Sequence, residues 1–278
     1  MQDKFNNVSE LEVLLEKTDK AEIQPVFSSN AEPETDWVRV FNTTRNYTET
    51  MVQKSRGKVV NHSEAFKPLL GALEQQEGAD FFGFVHNCQG RVTVEVLFNN
   101  AVVKDGSDEG IKLGMKFTND YSRLNFRGEN FGYRKFCSNG CALGKALHNE
   151  MSCSHKNIAN LNKEILAFIE VAFNKTKLLE GLIEKAMVDE FINEEDALRV
   201  LVGEVTGERT AKKMLELIES QNVFSRYDIY KCITNFATHS ITNDGRRRHY
   251  QEMAQKILVT SSDKLNRGEL KKEKKGSN

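Results

Sequence analysis

A chain of 278 residues can form one large domain or two modest ones, and 39% hydrophobic with 28% charged residues is ordinary for a globular protein. The formal net charge of -1 argues against a uniformly basic nucleic-acid coat, and no window approaches the roughly 18 apolar residues of a membrane-spanning helix. Five cysteines, an odd number, without an apolar leader are expected of a reduced, cytoplasmic protein.

Charge is unevenly laid out. Residues 1–36 hold nine Asp/Glu against three Lys, whereas residues 111–160 hold eight Lys/Arg against three Asp/Glu. Within the acidic start, VSELEVLLEKTD (8–19) predicts a short amphipathic helix with Ser9 as its N-cap. PVFSSNAEP reads as a flexible stretch, and DWVRVFN as a first strand. HSEAFKPLLGALEQQ (62–76) predicts a helix with Phe66, Leu69, Leu70 and Leu73 on one face. The period then changes to two. ADFFGFVHN and RVTVEVLFNN flank the turn NCQG, followed by IKLGMKFTN, YSRLNFR and NFGYRKFC, the last two separated by a turn at Gly128. Connections this short require an antiparallel meander of about five strands.

From residue 138 onward the pattern is helical. Ile158, Leu161, Ile165, Phe168, Ala172, Leu179, Leu182 and Ala186 keep a three–four spacing, which predicts one long helix or two in line. Further helices fit 194–203, 208–220, 225–239 and 244–259. The expected fold class is therefore α+β, an antiparallel β-meander followed by a helical bundle. Its predicted divisions are an acidic segment over 1–54, a sheet with a basic face over 55–156, a helical region over 157–262 and a disordered charged tail over 263–278.

Chemistry-bearing residues concentrate in FCSNGCALGKALHNEMSCSHKN (136–157). Cys137, Cys141, His148, Cys153 and His155 are zinc-compatible ligand types. The spacing, C-x3-C and then C-x-H, departs from the knuckle that sets two thiolates on one tight turn. It favours Cys137 and Cys141 as small buried residues at a sheet–helix junction, with Ser138 or Asn139 capping the helix. His155 and Lys156, at the start of the long helix, read as a solvated polar end. No neighbouring group would orient a Cys–His nucleophile pair, and no Walker loop, G-x-S-x-G elbow or H-E-x-x-H occurs. A non-enzymatic protein without a cofactor is expected.

Alternation along the meander places Leu113, Met115 and Phe117 on one face and Lys112 and Lys116 on the other. Arg123, Asn125, Arg127 and Arg134 join the polar side. Such a face can track phosphates, with Phe126, Phe131 and Tyr133 as stacking candidates. Arg246, Arg247 and Arg248, just before a predicted helix, form a second candidate phosphate clamp.

Three segments, KVVNHSEAFKPLLGAL, GIKLGMKFTNDYSRLNFRGENFGYRKFCSNGCALG and SRYDIYKCITNFATHS, resemble in sequence and order the phage/plasmid-like family called domain of unknown function nine-three-two. The resemblance covers roughly residues 55–260 and is sharpest at Arg134, Cys137, Asn139, His155 and the YKCITNFATH helix. It implies DNA metabolism on a phage, plasmid or integrated element, and it implies a shared patch at those four residues. The architecture also looks loosely like the phage single-strand annealing recombinases of the RecT and Erf type. The leading expectation is a non-enzymatic single-stranded DNA-binding protein, with strand annealing as an activity, acting as a homo-oligomer away from membranes. The alternative is an oligomeric assembly protein without nucleic acid, and a third is a zinc protein using the Cys137–His155 cluster.

Overall fold

The structure, a computed structural model, describes residues 2–27, 34–76, 78, 80–103, 110–134, 137–141, 149–191, 194–216 and 224–266. In chain order it begins with β1 (Gln2–Phe5), α1 (Val8–Glu16), β2 (Ala21–Phe27), β3 (Glu34–Asn42), β4 (Tyr47–Gln53) and α2 (His62–Glu74). The long strands follow: β5 (Phe81–Cys88), β6 (Arg91–Val103), β7 (Ile111–Asp120), β8 (Asn125–Arg134), β9 (Cys137–Cys141) and β10 (Glu150–Ser154). A 3-10 turn over His155–Asn160 leads into α3 (Leu161–Val188) and the short β11 (Glu190–Phe191). Last come α4 (Glu194–Val200), α5 (Glu208–Leu215), β12 (Phe224–Ser225), α6 (Arg226–Ser240), α7 (Asp244–Val259) and α8 (Ser262–Asn266). The chain is α+β, with antiparallel sheets first and helices, one of them 28 residues long, after them.

Two compact units divide the chain. The first comprises Met1–Ala101, Lys112–Asn130 and Asn149–Phe173; the second comprises Val102–Ile111, Phe131–His148 and Asn174–Asn278.

In the first unit the main sheet runs β1-β5-β6-β7-β8-β10. Period-two patterning gives it one apolar face: Val92, Val94 and Val96 of β6, Leu113, Met115 and Phe117 of β7, and Phe126 of β8 are all buried. Against them pack Phe66, Leu69 and Leu73 of α2 and Leu161, Ile165 and Phe168 of α3. Edge-on ring contacts, Phe66–Phe126 at 5.1 Å and Phe117–Phe168 at 5.5 Å, lock the layers together. A second sheet, β2-β3-β4, covers its own small core of Val38, Val40 and Val52 with Tyr121 and Leu124.

Several expectations are corrected here. The first 54 residues carry four strands rather than one, and α1 is capped by Asn7, whose Oδ1 accepts the Glu10 N–H at 2.9 Å, not by Ser9. There is no turn at Gly128. β8 runs straight through it, and the chain reverses instead at Tyr121–Leu124, where Leu124 has a φ of 48°. Gly128 is needed for packing: a Cβ there would lie 2.7 Å from Met151 Cγ of β10. Residues after 138 are not all helical, because β9, β10 and the short β11 and β12 interrupt them; Ser138 and Asn139, expected to cap a helix, lie within the strand β9. Arg246, Arg247 and Arg248, read as preceding a helix, lie inside α7, whose bounds are those of the helix expected over 244–259. Leu265, expected to lie in the disordered tail, is buried in α8; residues 28–33 of the stretch expected to be flexible, and the tail from 267, lie outside the described residues.

The second unit is a helical assembly around Leu179, Ile183, Ile229, Ile233, Ile257 and Leu258. Ser225 and Asp228 form a reciprocal capping box at the start of α6. Arg226, buried, donates to the carbonyls of Leu258 and Thr260 at 2.6 and 3.1 Å, satisfying orphan acceptors at the end of α7. Its Nε lies 2.6 Å from the Asp189 carboxylate, and its backbone N–H donates to the Asp189 carbonyl.

Candidate nucleic-acid interface

The parity that buries one face of the main sheet turns the other outward. The hairpin register Phe82↔Leu97, Phe84↔Glu95 and His86↔Thr93, with Lys4 opposite Phe84, sets Lys4, Phe82, Phe84, His86 and Glu95 on the open face, while Leu97 and Thr93 of the same parity are buried. Lys112, Lys116 and Thr118 of β7 join them, as do Asn125, Arg127 and Glu129 of β8 and Ser152 of β10, which lies opposite Arg127. A concavity of about 860 Å³ lies over this surface.

Its charge is balanced rather than basic. Arg91, Lys116, Arg123 and Arg127 line it together with Glu95, Asp120, Glu129 and Glu150. Lys116 Nζ lies 3.5 Å from Glu129 and 4.0 Å from Glu95, Glu95 is 3.5 Å from His86 Nε2, and Arg123 Nε is 3.7 Å from Asp120. Half-exposed pairs of this kind add little stability, but they screen the lysine and the arginine from a phosphate. Arg123 belongs to the 121–124 turn rather than to a strand. Arg91 and Arg127 are exposed, and neither forms an ion pair with a described residue.

At the other end of this face is an aromatic pair that the sequence expectation missed. Phe82 and Phe84 are half-buried, ring to ring at 6.0 Å in a T arrangement. Lys4 and Lys112 hold their amines 5.5 and 5.6 Å from the Phe82 centroid, and Lys112 also donates to Asn99 Oδ1 at 2.7 Å. The signal was the alternation in FFGF, which puts both rings on the face opposite Phe81 and Val85.

The remaining predicted residues are placed as follows. Phe126 is fully buried between Phe66 and Phe117 and is unavailable for stacking. Phe131 is half-buried on the part of β8 in the second unit. The side chains of Tyr133, Arg134 and Arg248 lie outside the described residues. Arg246 is exposed, while Arg247 donates through Nε and Nη2 to the Ile241 carbonyl and so ties α7 to the end of α6. Arg246 and Arg247 belong to the second unit.

The cysteine–histidine cluster resolves differently from the expectation. His155 is not a solvated helix end: it is fully buried, its Nε2 donates to Asn119 Oδ1 at 2.6 Å, and its Nδ1 accepts the Val60 N–H at 3.4 Å. Asn119 Nδ2 donates in turn to His62 Nδ1 at 2.9 Å and to the Val60 carbonyl at 3.3 Å. His62 stacks on Tyr121 at 3.9 Å, and Tyr121 Oη donates to the Asp19 carbonyl at 2.9 Å. The asparagine fixes both tautomers: its amide N–H meets the His62 Nδ1 lone pair, and its Oδ1 accepts the His155 Nε2–H. Burial lowers His62 to about 3 and His155 to about 4, so both are neutral at pH 7. With both ring nitrogens of His155 engaged, that residue has none left for a metal. Cys153 is buried, its thiol directed at the Asn157 carbonyl and pushed up by burial. Cys137, Cys141 and Asn139 lie on β9 with side chains outside the described residues, as does all of His148. Among the described residues no group of three His, Cys, Asp or Glu could hold a metal ion, and no described helix is long and apolar enough to cross a membrane.

Compared with protein-family models, curated proteins and solved structures, the chain matches none of them.

Proposed function

We propose that the open face of the main sheet binds single-stranded DNA, without catalysis, and that the protein serves strand handling such as annealing on a phage, plasmid or integrated element. The observation that carries this reading is the Phe82–Phe84 pair, outward on a sheet and flanked by the Lys4 and Lys112 amines. Aromatic rings flanked by cations on an open sheet face stack successive bases in a sequence-tolerant way. Phosphate contacts fall to Lys4, Arg91, Lys112 and Arg127. Lys116 and Arg123, whose charges are already balanced, contribute less. The element itself is suggested by the resemblance of residues 55–260 to the phage/plasmid-like family.

The test is binding of an end-labelled oligodeoxythymidine at two salt concentrations. Affinity should fall with salt along a shallow slope, because few cations are free to displace counterions. Absence of binding at low salt would remove the proposal.

A second reading, an assembly protein that binds no nucleic acid, is favoured by one observation. Leu178, Met187 and Val188, all on the second half of α3, are exposed large apolar side chains. Sedimentation of the protein without DNA distinguishes it, since this reading requires a stable oligomer.

A further inference from the structure

The face of the β2-β3-β4 sheet that points away from Val38 and Val40 is an aromatic and cationic surface with no part in the site above. On β3, buried Val38 and Val40 alternate with Trp37, Arg39 and Phe41, so these three share the outer face. Trp37 is 45% exposed, Met51 50% and Phe27 54%, an unusual concentration for one small sheet. Register puts Gln24 and Met51 on either side of Arg39, and Gln53 beside Trp37. A shallow groove of about 550 Å³ lined by Gln24, Phe27, Arg39 and Met51 runs along this face.

Arg39 is held in a definite pose. Its Cζ lies 5.1 Å over the Phe41 ring, and its Nε donates to Gln24 Oε1 at 2.8 Å. Its two terminal nitrogens make no hydrogen bond to a described residue, leaving a planar two-donor fork that suits a phosphate oxygen pair. Cations continue past Gln53: Lys54, Arg56 and Lys58 are exposed in the turn that follows β4. Of the acids whose side chains are described on these strands, Glu49 is turned inward and accepts from Asn42 and Tyr47, Glu22 is bound by Gln24 at the far end from Trp37, and exposed Asp36 alternates onto the face of Val38 rather than that of Trp37.

We infer that this outer face is a base-stacking subsite for single-stranded nucleic acid, with Trp37 stacking a base and Arg39 gripping the adjoining phosphate. An indole, a guanidinium already stacked on a ring and a run of cations complement a ligand that alternates π-faces with negative charge. The inference rests on the reading of the protein as a single-strand binder, but not on the sheet face assigned there.

Trp37 is the chain's one tryptophan, so its emission reports on this surface alone. Oligodeoxythymidine should quench it, and an abasic oligodeoxynucleotide of equal length should not. Trp37→Ala should weaken oligonucleotide binding about five- to a hundredfold at an unchanged salt slope, and Trp37→Phe should retain most of the affinity. Arg39→Ala should lower the salt slope by about one unit or less. Both side chains are surface features, and an unchanged melting curve verifies that each variant folds. Binding seen by anisotropy with neither quenching nor any loss in Trp37→Ala would overturn the subsite and leave the main-sheet reading standing. Quenching that persists with undiminished affinity in Arg91→Ala/Arg127→Ala would uphold the subsite and remove the main-sheet face. Self-association abolished by Trp37→Ala, with no quenching by the oligonucleotide, would identify the occupant as a second copy and overturn the inference.

Discussion

The two faces of β7 carry polar residues of opposite consequence. On the core side Asn119 is fully buried, and each of its amide atoms meets a protein partner. On the open side, three residues earlier, Lys116 sits between Glu95 and Glu129 at distances of 3.5–4.0 Å, with over a third of its side chain exposed. Hydrogen bonds that water cannot replace are costly to strand, whereas exposed ion pairs exchange with solvent at little cost. Stability is therefore concentrated on the buried face, and the open face can be altered without endangering the fold.

The largest expected effect lies in acid. A folded-state histidine pKa below the ordinary value means that the unfolded chain takes up protons first. The stability that neutral His62 and His155 contribute is complete above about pH 6.5 and is lost as pH falls toward about 4. Each should remove about 1.4 kcal/mol per pH unit across that window. Urea midpoints measured between pH 7.5 and 4.5 should drop steeply below 6.5, and a flat profile would mean that the imidazoles are not held neutral. Next in size, Asn119→Ala strands His62, His155 and the Val60 carbonyl, and should cost about 3 kcal/mol in urea unfolding. A loss under 1 kcal/mol would place water where the asparagine stood.

The open face should answer in binding instead. Phe82→Ala with Phe84→Ala should cost about 1–3 kcal/mol of oligonucleotide affinity at an unchanged salt slope. Equal affinity in that variant would move the stacking elsewhere. Arg91→Ala with Arg127→Ala should flatten the slope by about two units or less. The smallest effect is expected of Lys116→Ala, which should shift stability by under about 0.5 kcal/mol, since removing one half-exposed charge leaves two carboxylates that water still reaches. A large shift there would contradict the separation between the two faces.

How much of this was legible depended on whether the signal was local. The α2 face of Phe66, Leu69, Leu70 and Leu73 and the alternation Leu113–Met115–Phe117 follow from periodicity, and both are buried as read. β2 and β4 were missed because AEIQPVF holds a proline, tolerated on an edge strand, and YTETMVQ buries only Val52. Gly128 looked like a turn because glycine's reason for being there, a methionine on the next strand, is not local. The true reversal ends on Leu124, a residue type that announces no turn. His155 was misplaced for a similar reason: Asn119 and Val60, its partners, are 36 and 95 residues away in the chain. The screening of Lys116 by Glu95 and Glu129 likewise depends on register across three strands.

Arg226 has a consequence for how the second unit opens. Its guanidinium closes the end of α7 while its backbone and side chain both hold Asp189, just past α3. Withdrawing any one of these three segments leaves a buried cation or bare carbonyls, so fraying one helix end is no cheaper than releasing all three. The ends of α3 and α7 and the start of α6 should therefore behave as one foldon. In native-state hydrogen exchange their amides should share a single opening free energy, and Arg226→Leu should split it into separate ones.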